Sequence, residues 1–214
     1  MRCTPLNQGD LGPERLRRAL GRAHVRADEK VIVIGGAPVG LLIALVALAA
    51  GAEVRVVELD VHRRALAEKL GLTAWDPTAN LPELVKRWTN DAGADVAFEV
   101  SGTQGGVEAA VDALAVRGRL CLVAIHPTPR GVNLHRLFWR ELTLVGARLY
   151  DRGDFEKAAA LAADGTVPAE LLITRSVPLT DAPAAFEALE YGGDVMKILL
   201  DCTDMTNVAT ADAA

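Results

Sequence analysis

An α/β fold with a doubly wound parallel sheet is predicted by three observations. Short β-branched runs alternate with longer amphipathic segments between residues 30 and 123, a glycine-rich turn follows the first run, and a glutamate closes the second. Strands are expected over 30–34, 53–58, 95–100, 118–123 and 142–146, with a short one at 73–75. Helices fall between them at 39–49, 61–70, 81–89 and 106–115. Asp60 precedes the 61–70 helix and Gly71 follows it, the residue types that cap a helix at its two ends. Beyond 123 the rhythm changes: Pro127 and Pro129 mark a loop, Leu137-Phe138-Trp139 an aromatic segment, and 141–150 a further strand. A helix over 154–163 closes at Gly165, and strand, helix and strand over 171–179, 181–191 and 195–201 form a small C-terminal appendage. The expected organisation is a helical lead-in over 1–29, the sheet domain over 30–165, the appendage over 166–202 and a polar, disordered tail over 203–214.

Composition narrows the function. With 214 residues, half of them apolar, the chain suffices for one core and a small addition. A net charge of −5 disfavours a protein that neutralises nucleic-acid phosphates. Cys3, Cys121 and Cys202 lie far apart, and neither they nor Cys3 with His24 have the spacing of a metal site, so no metal is expected. Residues 31–50 form an uncharged run of membrane-spanning length, but Gly35-Gly36-Ala37-Pro38 divides it into a buried strand and a buried helix. The polar N-terminus lacks a secretory pattern, and a cytoplasmic protein without a membrane span is expected.

The turn Gly35-Gly36-Ala37-Pro38-Val39-Gly40 carries the chemistry. Between a parallel strand and a helix, such a turn presents backbone N–H groups and the positive end of the helix dipole to a diphosphate. Gly35 supplies the tight bend and Gly40 the close approach of helix to strand, whereas Ala37 stands where the pattern has its second glycine. Glu58 follows 23 residues after Gly35, near the spacing at which an acid accepts the adenosine ribose hydroxyls. These features define a Rossmann-type dinucleotide-binding domain. Glu58 favours NAD over NADP, whose 2′-phosphate it would repel, while Arg55, Arg63 and Arg64 stand near enough in sequence to temper that preference.

With these residues in place, the sequence resembles the medium-chain dehydrogenases, and within them the zinc-dependent polyol branch that includes butanediol, sorbitol and threonine dehydrogenases. The resemblance rests on the strand and turn from Val31 to Gly40, on Ala65-Leu66-Ala67-Glu68-Lys69-Leu70-Gly71 and on Asp95-Val96-Ala97-Phe98-Glu99-Val100-Ser101-Gly102. Leu142-Thr143-Leu144-Val145-Gly146 and Val195-Met196-Lys197-Ile198-Leu199-Leu200 extend it. It implies that Val39 packs behind the nicotinamide and that Ser101 and Gly102 lie near the cofactor. Backbone around Ala124, Ile125 and Ala147 would meet the carboxamide. It also implies a preceding barrel-like catalytic domain that supplies zinc ligands; only about thirty residues stand before the first strand, so the reading is of a chain lacking that domain and binding no zinc. The stretch 171–201 would then need a cover, from an oligomer or a protein partner, and the strand at 141–150 is expected to pair two copies into a homodimer.

Hydride transfer also needs a group to handle the alcohol proton. His126, just past the fourth long strand, is one candidate, and Tyr150 and Arg148 are others; each also reads as an ordinary loop residue. His62 and His135 fit that use less well, and Cys121 reads as a small core residue. Three functions stay open: an NAD-dependent oxidoreductase or part of a split one, a noncatalytic dinucleotide-binding or scaffold protein, and a zinc-independent enzyme of changed chemistry.

Overall fold

The structure, a computed structural model, describes residues 13–149 and 152–203. Its main sheet contains β1 (Lys30–Ile34), β2 (Glu53–Val57), β3 (Thr73–Trp75), β4 (Ala94–Glu99), β5 (Leu114–Leu122) and β6 (Thr143–Gly146). All are parallel, in the order β3-β2-β1-β4-β5-β6. The winding reverses between the neighbours β1 and β4, and in such sheets ligands bind outside the carboxyl ends of the strands at that point. The crossovers carry α2 (Pro38–Ala49), α3 (Val61–Lys69), α4 (Leu81–Thr89), α5 (Gln104–Ala113) and α6 (Leu134–Trp139).

Both faces of the sheet are covered, which is why its central strands read as continuous apolar runs. Alternate residues of β1 serve opposite cores. Val31 and Val33 join Leu41 and Ile43 of α2, while Ile32 and Ile34 join Val85 of α4 and Val111 of α5. Fully burying side chains such as Phe98, Ile32 and Leu41 stabilises the fold by about 1.5–3 kcal/mol each. The apolar run 31–50 resolves into β1 and α2 as expected: Gly40 through Ala47 are buried. None of the described helices is long and apolar enough to cross a membrane.

The lead-in contains α1 (Pro13–Ala23), whose Ala19, Leu20 and Ala23 close the first core. Arg119 of β5 ties this end down, donating Nε to the Ala23 carbonyl at 2.7 Å and pairing with Glu29 at 2.6 Å.

Several boundaries differ from expectation. The strand expected from 118 begins at Leu114, immediately after α5 ends at Ala113. Leu114 is fully buried and pairs with Ala94; the register then shifts, and Arg117, at a φ of 62°, is absorbed into the strand as an irregularity. The aromatic segment belongs to α6, capped by the Asn133 side chain on the Arg136 amide. Of the strand expected over 141–150, only Thr143–Gly146 pairs among the described residues. Glu141 enters with a φ of 50°, and the chain leaves the sheet after Ala147 donates to the Leu122 carbonyl at 2.9 Å.

Beyond α7 (Arg152–Ala163), the start of the expected 171–179 strand is instead the end of a short helix, α8 (Ala169–Leu172). The strands β7 (Ile173–Pro178) and β8 (Lys197–Asp201) flank α9 (Ala182–Tyr191) and form a separate two-stranded parallel sheet. This is the strand-helix-strand appendage, and it leaves Leu171, Phe186, Leu189 and Tyr191 exposed. Tyr150, Cys3 and residues 204–214 of the expected tail lie outside the described residues.

Candidate functional site

The glycine turn sits between β1 and α2 at the point where the winding reverses. Gly35 adopts a φ of +112°, which an L side chain rarely takes, and a Cβ there would meet the Ser101 amide nitrogen at 3.1 Å. The Gly40 requirement is stricter, since a Cβ would lie 1.8 Å from the Gly35 carbonyl oxygen. Ala37 takes the extended N-cap position of α2 and accepts the Leu41 amide at 3.0 Å, but it has no side-chain cap. Pro38 begins the helix, where its missing N–H costs nothing. Val39 is half-buried against the core.

Glu58 stands just past β2, directly over this turn. One carboxylate oxygen accepts the Gly36 amide at 2.6 Å and the other accepts the Asp60 amide at 2.8 Å. A Cβ at Gly36 would press to 2.9 Å on the Glu58 Cβ, so this glycine is what lets the acid lie against the turn. Asp60 caps α3 as expected, accepting from His62 and Arg63. The Arg63 amide foremost, with that of His62, holds its carboxyl below the usual range against a smaller opposing effect of burial.

The three arginines near Glu58 part ways. Arg55 stacks beside Trp75 and Trp88, with its carbon centre 5.8 and 5.0 Å from the rings, and pairs with Glu53 at 2.8 Å. Arg64 is taken by the carbonyls of Glu58 and Leu59 and by Asp76 at 2.9 Å. Arg63 alone of the three keeps a buried Nε with no hydrogen-bond partner.

The other wall of the crevice is made by the chain leaving β4 and β5. Gly102 has a φ of +71°, and a Cβ there would lie 3.1 Å from the Ile125 carbonyl oxygen. Arg130 reaches back to the Gly102 carbonyl at 3.3 Å. The Val123 and Ala124 amides both donate to the Glu99 carbonyl, at 3.0 and 3.1 Å, while Ile125 is 80% exposed. Ser101, Gly102, Ala124, Ile125 and Ala147 thus gather at the carboxyl ends of β4, β5 and β6. His126 turns inward, with Nε2 3.0 Å from Glu99 Oε2, and its side chain is only 17% exposed. Arg148 is exposed.

Glu99 is a functional candidate that the motif alone does not single out. It is fully buried, and a charged residue directly after the apolar run Val96-Ala97-Phe98 is the sequence signal that could find it. Burial pushes the Cys121 thiol up to about 12, in keeping with a core residue. Among the described residues no group of three His, Cys, Asp or Glu side chains is placed to hold a metal ion. A cavity of about 490 Å³ between α4 and α5 shares no residue with the glycine turn.

A Rossmann sheet whose reversal point carries this turn and acid defines a dinucleotide-binding class. Residues 38–164 match the zinc-binding dehydrogenase family, and the chain belongs to that family within the medium-chain dehydrogenases. It is 39% identical over 182 residues to 2-dehydro-3-deoxy-L-galactonate 5-dehydrogenase of Pseudoalteromonas atlantica, a match covering 85% of this chain and 53% of that enzyme. Among solved structures it resembles 2R,3R-butanediol dehydrogenase from Bacillus subtilis, with a TM-score of 0.82 and 28% identity over 89% of this chain and 56% of the other. It also resembles a putative zinc-binding dehydrogenase from Sinorhizobium meliloti bound to NADP, with a TM-score of 0.77, 25% identity and coverage of 89% and 57%. The chain spans about half the length of the curated relatives it matches.

Proposed function

We propose that this chain is the NAD(H)-binding unit of an oxidoreductase related to the polyol dehydrogenases. The observation that carries the reading is the Glu58 carboxylate, fixed on the Gly36 and Asp60 amides over the glycine turn. The residues fit the cofactor: Gly35 and Gly40 let the turn pack tightly against Ser101 and the start of α2, and the helix N-terminus so placed suits a pyrophosphate. In this reading Glu58 accepts the ribose hydroxyls, and Arg63, whose Nε is buried without a hydrogen-bond partner, belongs to the adenosine end. Ser101, Gly102, Ala124, Ile125 and Ala147 border the nicotinamide, and Val39 packs behind it. When bound, the cofactor supplies a hydride acceptor or donor.

NAD is favoured over NADP because Glu58 repels a 2′-phosphate and because Arg55 and Arg64 are already engaged, which leaves Arg63 as the one of the three arginines that opposes the preference. The relatives' names suggest a small polyhydroxylated substrate, and a cytoplasmic setting accords with such chemistry. Titration calorimetry tests the reading: NADH binds and NADPH binds at least about tenfold more weakly, a gap of roughly 1.4 kcal/mol. No heat from either at millimolar concentration sinks it.

A second reading, dinucleotide binding without turnover, is favoured by the orientation of His126. Its ring faces Glu99 inside the protein, and Arg148 is an exposed residue past the sheet, so neither supplies a positioned proton-handling group. A lack of NAD reduction with any of a panel of polyols, despite NADH binding, selects it. For assembly we infer a homodimer across β6 and a protein cover for the exposed apolar residues of the appendage.

A further inference from the structure

We propose that His126 is a positioning residue for the nicotinamide end of the cofactor, acting through Glu99; the proposal rests on the cofactor reading above. Glu99 is fully buried at the end of β4. Its Oε1 gathers the turn after β4, accepting the Ser101 amide at 2.8 Å, the Ser101 hydroxyl at 2.5 Å and the Gly102 amide at 2.9 Å. The start of α5 is shaped around this knot: a Cβ on Gly106 would lie 2.0 Å from Ser101 Oγ and 2.7 Å from Glu99 Oε1.

The second oxygen, Oε2, has one near neighbour among the described ionisable groups, His126 Nε2 at 3.0 Å. A buried carboxylate is costly unless it is paired and hydrogen-bonded. His126 follows Ile125, whose carbonyl lies against Gly102, so one side chain holds the turn after β4 and stands 3.0 Å from the loop after β5. The contact is close but off the axis of a well-formed hydrogen bond, leaving Oε2 and both ring nitrogens without an aligned partner. Contacts of this kind tighten when a ligand orders the loops around them. The ring is turned toward Glu99, so its effect is on loop geometry.

The test compares NADH with ADP-ribose, which keeps the adenosine and pyrophosphate groups but lacks the nicotinamide. His126→Ala weakens NADH binding about tenfold, the scale of the hydrogen bond that this contact forms once the bound cofactor orders the loops. It also alters the fluorescence of bound NADH and leaves ADP-ribose affinity unchanged. His126→Gln, whose amide N–H can reach Glu99, restores NADH binding. If the alanine variant does not fold, His126→Phe fills the space without a donor and carries the same comparison. Unchanged NADH affinity, equal loss of both ligands, or failure of glutamine to rescue overturns the proposal. Wild-type protein that binds neither ligand overturns the cofactor reading as well, which separates the two failures.

Discussion

Glu58 receives the Gly36 amide at 2.6 Å, and this short contact joins the end of β2 to the turn after β1. The same side chain holds the Asp60 amide, so two turns are gathered on one acid. Glu58→Ala removes the ribose acceptor and releases the Gly36 amide. NADH affinity should fall at least about tenfold, the scale of a charge-assisted hydrogen bond. Calorimetry on folded variant protein checks this, and an unchanged affinity would show that the ribose is held elsewhere.

Gly40→Ala should destabilise the domain strongly. The added methyl would sit 1.8 Å from the Gly35 carbonyl oxygen, a backbone atom that cannot rotate away. Overpacking typically costs about 1–3 kcal/mol and more where backbone must shift. Gly105→Ala on α5 is the control, since its methyl meets nothing within 4 Å. Urea midpoints should fall for the first and hold or rise slightly for the second; equal midpoints would remove the packing argument.

The parts that read clearly from sequence were those set by short-range physics. Gly35, Gly36 and Gly40 follow a buried β-branched strand, and Asp60 and Gly71 bracket one helix, so the turn and the α3 limits were visible as local patterns. The β5 boundary was not, because Arg117-Gly118 has turn composition and only pairing of Leu114 with Ala94 draws the chain into the sheet earlier. Nor was the Glu99–His126 contact, which joins residues 27 positions apart through the parallel order of β4 and β5. Sequence placed His126 near the crevice, but the direction of its ring depends on that tertiary neighbour.

Asp60 makes one contribution to stability dependent on pH. Its folded pKa is lowered, chiefly by the Arg63 amide, so its stabilisation is present above the unfolded value of about 3.9 and is lost as pH falls through the lower folded value. At neutral pH Asp60→Ala should cost about 1 kcal/mol, the usual worth of an N-cap. The difference between wild type and variant should shrink below about pH 4, whereas Asp60→Asn, which caps without titrating, should show no such trend. Denaturation series at several pH values read this directly, and a constant wild-type to alanine gap down to strongly acid pH would contradict the assignment.

The edge strand β6 makes the assembly testable. Among the described residues Thr143–Gly146 pairs only with β5, and its outer side carries backbone groups that a second copy can extend into a continuous sheet. Leu144 is 41% exposed beside it, and Phe138 and Trp139 of α6 are exposed nearby in the chain at 75% and 68%. Apolar residues flanking an open edge favour pairing, whereas a lysine there opposes it by placing a charge where two strands would meet. Light scattering at micromolar concentration should therefore give a dimer for the wild type and a monomer for Leu144→Lys, with ADP-ribose binding retained in both. Retained binding matters because Leu144 lies away from the glycine turn, so its loss would point to misfolding of the variant. A monomeric wild type would refute the inferred dimer, and the exposed edge would then need some other cover.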